Sequence, residues 1–256
     1  MDKVLLDKKD GYAVLTLNRP NNMNALSREL RDDFCAAFRD CSVDDNIRVV
    51  IITGNGKAFC AGFDLKEMSS LNTSNAAEAS ENEMADVVRE FPGPVIAAVN
   101  GHAVTGGFEV VLACDVIIAS ENARFADTHA RVGILPGWGL SQKLPRLIGL
   151  SRAKQLSFTG LPIFAQQAYE WGLANEVLEP DALLPRAEEL AEAMCQCVPA
   201  ILQQYKALID DGYSMLYKDA INYEEQIGIA SAKEASSAML AGRVEGVLKK
   251  GRKEKG

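Results

Sequence analysis

The sequence predicts an α/β fold in which parallel strands are covered by helices. Three runs carry that prediction: IRVVIITG (47–54), GPVIAAVNG (93–101) and DVIIAS (115–120) are short, rich in Val and Ile, and hold little charge. Such runs form strands buried on both faces, as parallel strands usually are. Helical periodicity intervenes between them, and the order strand–helix–strand–strand–helix–strand is that of β units joined by helical crossovers.

The elements follow in order. YAVLTLNRP (12–20) alternates well enough for a strand and stops at Pro20. In NALSRELRDDFCAAFRDCSVDD (24–45), Leu26, Leu30, Phe34, Ala37 and Phe38 recur at helical intervals, with Ser27 placed as N-cap. Residues 69–93 begin small and polar and turn helical, which reads as a mobile loop leading into a helix. Loops of that kind often border binding sites. GGFEVVLAC (106–114) is compact enough for a buried helix. From residue 181 onward the pattern is helical throughout, punctuated by Pro199, Gly212 and Gly242, and no tandem repeat is visible by identity.

Composition sets the outer limits. The chain has 256 residues, 48% hydrophobic and 24% charged, enough for a sizeable core in one large domain or two modest ones. A net charge of −8 gives no overall positive field for nucleic acid or an anionic membrane. The basic tail KKGRKEKG (249–256) reads as a flexible, solvated end. The six cysteines (Cys35, Cys41, Cys60, Cys114, Cys195, Cys197) have no metal-binding pattern and are expected to be reduced thiols. No apolar run reaches membrane-span length, the start MDKVLLDKKDG lacks a signal-peptide core, and the final residues match no peroxisomal address. The expected compartment is the cytoplasm.

One carboxylate stands out. In VNGHAVTGGFEVVLACD (99–115), Glu109 sits among glycines and apolar side chains, where burial costs several kcal/mol unless something compensates. The segments NRPNNMNAL (18–26), GKAFCAGFDLKEM (56–68), PVIAAVNGHAVTGGFEVVLACD (94–115), ILPGWGLSQKLPRLIG (134–149) and FTGLPIFAQQAYEWGLANEV (158–177) occur in one order and spacing. Together they resemble the enoyl-CoA hydratase/isomerase (crotonase) family over roughly residues 4 to 250. The resemblance implies a spiral of ββα units over residues 1–195 and a helical trimerisation region over 196–256. It also implies an acyl-CoA thioester substrate, with no cofactor beyond the coenzyme A carried by that substrate, and no metal. A trimer or a dimer of trimers is the implied assembly.

The implied chemistry runs through an enolate-like oxyanion, which preorganised backbone N–H groups stabilise. By the family's pattern those groups belong to Phe63 and Gly106, the latter at a helix N-terminus with its unsatisfied donors and positive dipole end. Close strand–helix packing is the other reading of Gly106 and Gly107, and Thr105 stands where the pattern often has a third glycine. Glu109 aligns with the first catalytic carboxylate of the hydratases, which would hold and deprotonate water; a buried pair with Arg or Lys is the structural alternative. Twenty residues on, where hydratases usually carry a second glutamate, the chain has His129. Imidazole can deliver a proton to the α-carbon near neutral pH. It can also simply fill the pocket wall, and Asp127, two residues out of register, is a weaker stand-in.

For coenzyme A the resemblance implicates Arg19 or Lys66 at phosphate and the backbone around Ala25 and Ala61 at adenine. Asp64 is expected to order the loop, Asp115 to end the helix, and His102 to be structural. An enoyl-CoA hydratase is the first reading. A Δ3,Δ2-enoyl-CoA isomerase is the variant within the family, and a catalytically weak acyl-CoA-binding protein is the alternative from another class.

Overall fold

Two mostly parallel sheets and the turns between them place every candidate residue. The computed structural model describes residues 2–64, 66–67 and 83–234. In chain order these form β1 (Val4–Lys8), β2 (Tyr12–Leu17), α1 (Arg28–Ser42), β3 (Val49–Gly54), β4 (Ala58–Cys60) and α2 (Glu83–Glu90). Then come β5 (Val95–Val99), β6 (His102–Val104), α3 (Gly106–Ala113), β7 (Val116–Ser120), β8 (Arg124–Ala126) and α4 (His129–Val132). After these follow α5 (Leu140–Ile148), α6 (Leu150–Thr159), β9 (Ile163–Phe164), α7 (Ala165–Glu170), β10 (Glu176–Leu178), α8 (Leu183–Cys195), α9 (Pro199–Tyr213) and α10 (Tyr217–Glu234). The loop expected over 69–82, the helical reading beyond 234 and the tail 249–256 lie outside the described residues.

The larger sheet has the order β1-β2-β3-β5-β7-β10 and the smaller one β4-β6-β8-β9. Within the larger sheet every pairing from β2 to β10 is parallel, and β1 joins β2 antiparallel. In the smaller sheet β4, β6 and β8 run parallel, with β9 antiparallel at the edge. The repeat invisible by identity is therefore structural. The units β3–β4–α2, β5–β6–α3 and β7–β8–α4 each give one strand to each sheet before a helix, which is the ββα spiral expected from the resemblance.

Burial on both faces explains the uninterrupted β-branched runs. Val49 and Ile51 of β3, Ile96 of β5 and Ile118 of β7 face Leu183, Ala187 and Ala191 of α8. Their neighbours Val50, Ile52, Val95 and Ala97 join the main core with Phe34, Phe38, Phe59 and Phe108. Ser27 does cap α1, its hydroxyl accepting from the Leu30 N–H at 3.3 Å. The strands of the second sheet, two or three residues each, are too short for a period-two signal, and β1 is not among the strands expected from the sequence.

Two compact units divide at Gln203/Gln204. In the second, Tyr223 donates to Asp211 at 3.0 Å and Gly212 closes against Ala220. Among the described residues no helix is long and apolar enough to cross a membrane. None of the six cysteines forms a disulfide, and four of them are buried.

Candidate active site

Three neighbouring parallel strands end at one edge of the smaller sheet, and each delivers part of the site. After β4 comes Ala61–Asp64; after β6, Thr105 and the first turn of α3; after β8, Asp127, Thr128 and His129. Ligands of open parallel sheets gather at the carboxyl ends of the strands.

The first two segments touch. Gly62 has φ +86°, and a Cβ there would stand 2.9 Å from the Val104 carbonyl oxygen and 3.4 Å from the Gly106 nitrogen. Only glycine permits both the conformation and the approach. Next to it, Phe63 forms an isolated parallel bridge with Leu26, whose N–H donates to the Gly62 carbonyl at 2.8 Å. That bridge pairs residues 62 and 64 with Leu26 and turns the Phe63 N–H the other way. Neither the Phe63 nor the Gly106 N–H meets a protein acceptor among the described residues. Two adjacent, unclaimed donors, one of them at a helix N-terminus, are what an oxyanion hole requires.

Gly107 answers the packing alternative. A Cβ at Gly107 would lie 2.3 Å from the Cys60 carbonyl oxygen, whereas the atoms nearest to one at Gly106 belong to side chains, Leu26 at 3.2 Å and the Phe63 ring at 3.4 Å. Alanine gains about 1 kcal/mol over glycine within a helix, and overpacking against backbone costs about 1–3 kcal/mol. Gly107→Ala is therefore expected to lower stability, and Gly106→Ala to leave it nearly unchanged. Urea unfolding of the two variants measures this; equal losses would contradict the assignment.

Glu109 lies one turn into α3, only 2% exposed. Its Oε1 accepts the Trp138 N–H at 2.8 Å, and its Oε2 is 3.4 Å from His129 Nε2. The buried partner is thus an imidazole and a backbone donor, not the Arg or Lys of the structural alternative. His129 is 3% exposed; its Nδ1 is 2.7 Å from Asp127 Oδ1, which also accepts the His129 N–H at 3.1 Å. Burial pushes the imidazole pKa down, but hydrogen bonds and charge from Asp127 and Glu109 outweigh it, and the ring is pushed up to about 9. Burial would raise the Asp127 pKa, yet the His129 ring and the Ser157 hydroxyl hold it below the usual carboxylate range. Asp127 is thus not a substitute for His129 but its partner.

Thr105 joins these segments. At φ 52° and ψ −112° it occupies backbone space that suits glycine, a cost of order 1–3 kcal/mol for a β-branched residue. Its hydroxyl bonds the Thr128 hydroxyl and accepts the Thr128 N–H at 3.2 Å, and its own N–H donates to Ala126 at 2.9 Å. The residue that departs from the glycine pattern ties the helix of Glu109 to the turn of His129.

The chain matches the family model for enoyl-CoA hydratase/isomerase over residues 7–246. It belongs to that family. It is 35% identical over 255 residues to the short-chain-enoyl-CoA hydratase of Clostridium acetobutylicum, covering 96% of this chain and 98% of that one. To the crotonyl-CoA hydratase of Syntrophomonas wolfei it is 35% identical over 257 residues, with 97% and 99% covered. The crystal structure of enoyl-CoA hydratase from Bacillus anthracis aligns at a TM-score of 0.88 and 35% identity, covering 98% of this chain and 96% of that one.

Of the residues that the enoyl-CoA hydratase/isomerase pattern gives to coenzyme A, Arg19 and Lys66 share one cavity, while Ala25 and Ala61 lie outside its lining. Arg19, Asp64 and Lys66 line one cavity of about 730 Å³. Arg19 pairs with Asp64 at 3.0 Å and also donates to the Ala25 carbonyl at 2.5 Å, so its guanidinium holds the loop it belongs to. Asp64 Oδ1 accepts the Lys66 N–H at 3.2 Å, and the Lys66 residue is exposed at the rim. Ala25 and Ala61 are half-buried, the latter donating to the Met23 carbonyl at 3.0 Å. Sequence reasoning missed Asn24: fully buried at φ 53°, it accepts from Arg19 N at 2.8 Å and donates to Ala58 O at 2.7 Å. Asn is the residue type that tolerates left-handed backbone, which was the available signal. Asp115 accepts the Val95 N–H at 2.7 Å just beyond α3. His102 is half-buried beside Arg124, and both burial and that charge lower its pKa.

Proposed function

We propose that the protein is an enoyl-CoA hydratase, adding water reversibly across the double bond of 2-enoyl-CoA thioesters. The observation that carries this reading is the meeting of Glu109 and His129, two proton-handling side chains 3.4 Å apart beside the free N–H groups of Phe63 and Gly106. Hydration needs both halves: a base for water and an acid for the α-carbon.

In this reading the thioester oxygen sits between the Phe63 and Gly106 N–H groups. Glu109, held by the Trp138 N–H, takes a proton from water as its oxygen bonds to the β-carbon. The C=C electron pair moves toward the thioester, giving an enolate whose oxygen those two N–H groups stabilise. The imidazolium of His129 then gives its Nε2 proton to the α-carbon. Glu109 returns the water proton to His129 across their contact, and both groups end as they began. Coenzyme A arrives and leaves as part of the substrate. Lys66, exposed at the cavity rim, is assigned to phosphate as a point charge, with Arg19 and Asp64 keeping the loop in shape beside Ala25 and Ala61.

Assembly into a trimer or paired trimers fits the second unit, where Tyr205, Ile209, Tyr213, Leu216, Tyr217 and Ile221 are exposed. Apolar surface of that extent marks an interface, and closed cyclic symmetry satisfies it. Light scattering at micromolar concentration is expected to give a trimer or hexamer mass, and a monomer would contradict the assignment. The cytoplasm is the proposed compartment.

Incubation with crotonyl-CoA and with longer 2-enoyl- and 3-enoyl-CoAs tests the activity, following enoyl thioester absorbance and product mass. The reading expects a gain of one water. A product of unchanged mass from a 3-enoyl-CoA would instead establish the isomerase, and tight binding without turnover the binding protein.

A further inference from the structure

We infer that Asp127 is the positioning residue for His129: it fixes the ring proton on Nδ1, turns Nε2 toward Glu109 and supplies the counter-charge of the ring. This deepens the hydratase reading, and its consequence for rate rests on that reading. The inference itself stands on geometry. An ionised carboxylate only accepts hydrogen bonds, so the 2.7 Å contact between Asp127 Oδ1 and Nδ1 places a proton on Nδ1. That leaves Nε2 as the atom facing Glu109 Oε2 at 3.4 Å. A bare Nε2 lone pair against a carboxylate oxygen is repulsive, whereas a protonated Nε2 is attractive. With Glu109 as a carboxylate, the inferred resting state is a ring cation between two carboxylates.

The charges explain how histidine can stand where the family usually has glutamate. Two glutamates sharing one proton carry −1; Glu109, Asp127 and an imidazolium also sum to −1. With a neutral partner in place of Asp127, Glu109 alone would oppose the burial that favours the neutral ring. Around His129, the charged side chains facing the ring among the described residues are Glu109 from α3 and Asp127 from the turn after β8. Ser157 of α6 reaches Asp127, and Arg131 on the histidine's own helix donates to the Thr159 carbonyl at 2.8 Å. Asp127 is itself held: it is 2% exposed and bound to the His129 N–H as well as the ring.

Asp127→Asn separates charge from shape, because the amide oxygen can still accept both bonds. The chain has only two histidines, so nitrogen-15 NMR of histidine-labelled protein follows each ring without substrate. In the parent, His129 is expected to keep both ring protons well above pH 7, while His102 titrates on the other side of the ordinary value. In Asp127→Asn the His129 titration is expected to move down by at least about one pH unit, a tenfold loss of the cation at alkaline pH. The alkaline limb of the hydration rate should move with it, kcat falling while KM holds, and Asp127→Glu should recover part of both. An unchanged titration in Asp127→Asn overturns the inference. So does a parent His129 that loses its proton below pH 6.5, a result available even where the variant does not fold. A parent that titrates as expected but adds no water to any enoyl-CoA defeats the hydratase reading and leaves the role of Asp127 standing.

Discussion

Glu109→Gln is expected to lose about 10²–10⁴ in kcat, the usual worth of a general base, with acyl-CoA affinity largely kept. The substitution isolates the base from the fold. Glutamine Oε1 can still accept the Trp138 N–H now bound at 2.8 Å, so no buried donor is left without a partner. What disappears is the negative charge that attracts a water proton and faces His129 Nε2. The Phe63 and Gly106 N–H groups proposed to hold the oxyanion are backbone groups and stay in place, so substrate binding is expected to survive while water is not activated. Steady-state kinetics with crotonyl-CoA, paired with calorimetric binding of an acyl-CoA, measures the two effects separately. Near-normal turnover by the variant would remove Glu109 from the mechanism.

How much of this was legible in the sequence depends on range. Glu109 and His129 are twenty residues apart, and their meeting was readable only through the spacing of a family pattern. The buried helix 106–113 was legible from composition, since a helix with no polar face must be surrounded. The partner of the buried carboxylate was not: Trp138 contributes its backbone N–H, and no side-chain property announces that. Asp127 was visible as an acid close to the right register, yet its function depends on a turn that folds its carboxylate back onto the residue two places later. Local hydrogen bonding of this kind is common for Asp, but the sequence does not say which neighbour it serves. The smaller sheet escaped detection because strands of three residues, such as Ala58–Cys60 and His102–Val104, are too short to show alternation. Thr105 was legible as a departure from glycine, and only the structure gives its use, a hydroxyl joining two active-site segments at the expense of strained backbone.

His129→Ala is expected to lower the hydration rate by one to several orders of magnitude, and His129→Glu to restore part of it. The pH profile makes the test specific. In the native state the ring is pushed up to about 9, above its unfolded value near 6.5, so the native state binds the proton more tightly. The stabilisation from that proton is fully present below pH 6.5 and is lost as pH rises through about 9. Activity that needs the imidazolium should follow the same limb: steady across neutral pH and falling on the alkaline side. In His129→Ala the alkaline fall should vanish from both rate and stability, leaving a low rate that Glu109 sustains alone. The glutamate variant should again let two carboxylates share one proton, with Asp127 now a nearby charge that opposes ionisation of the newcomer. Rate measurements from pH 6 to 10, with urea unfolding at each pH, follow both quantities on the same proteins. If His129→Ala is as active as the parent, the ring is pocket wall and Glu109 manages both proton transfers. If the parent shows no turnover and His129→Glu becomes a hydratase, the chain is an acyl-CoA-binding member of the family whose histidine silenced the second proton step.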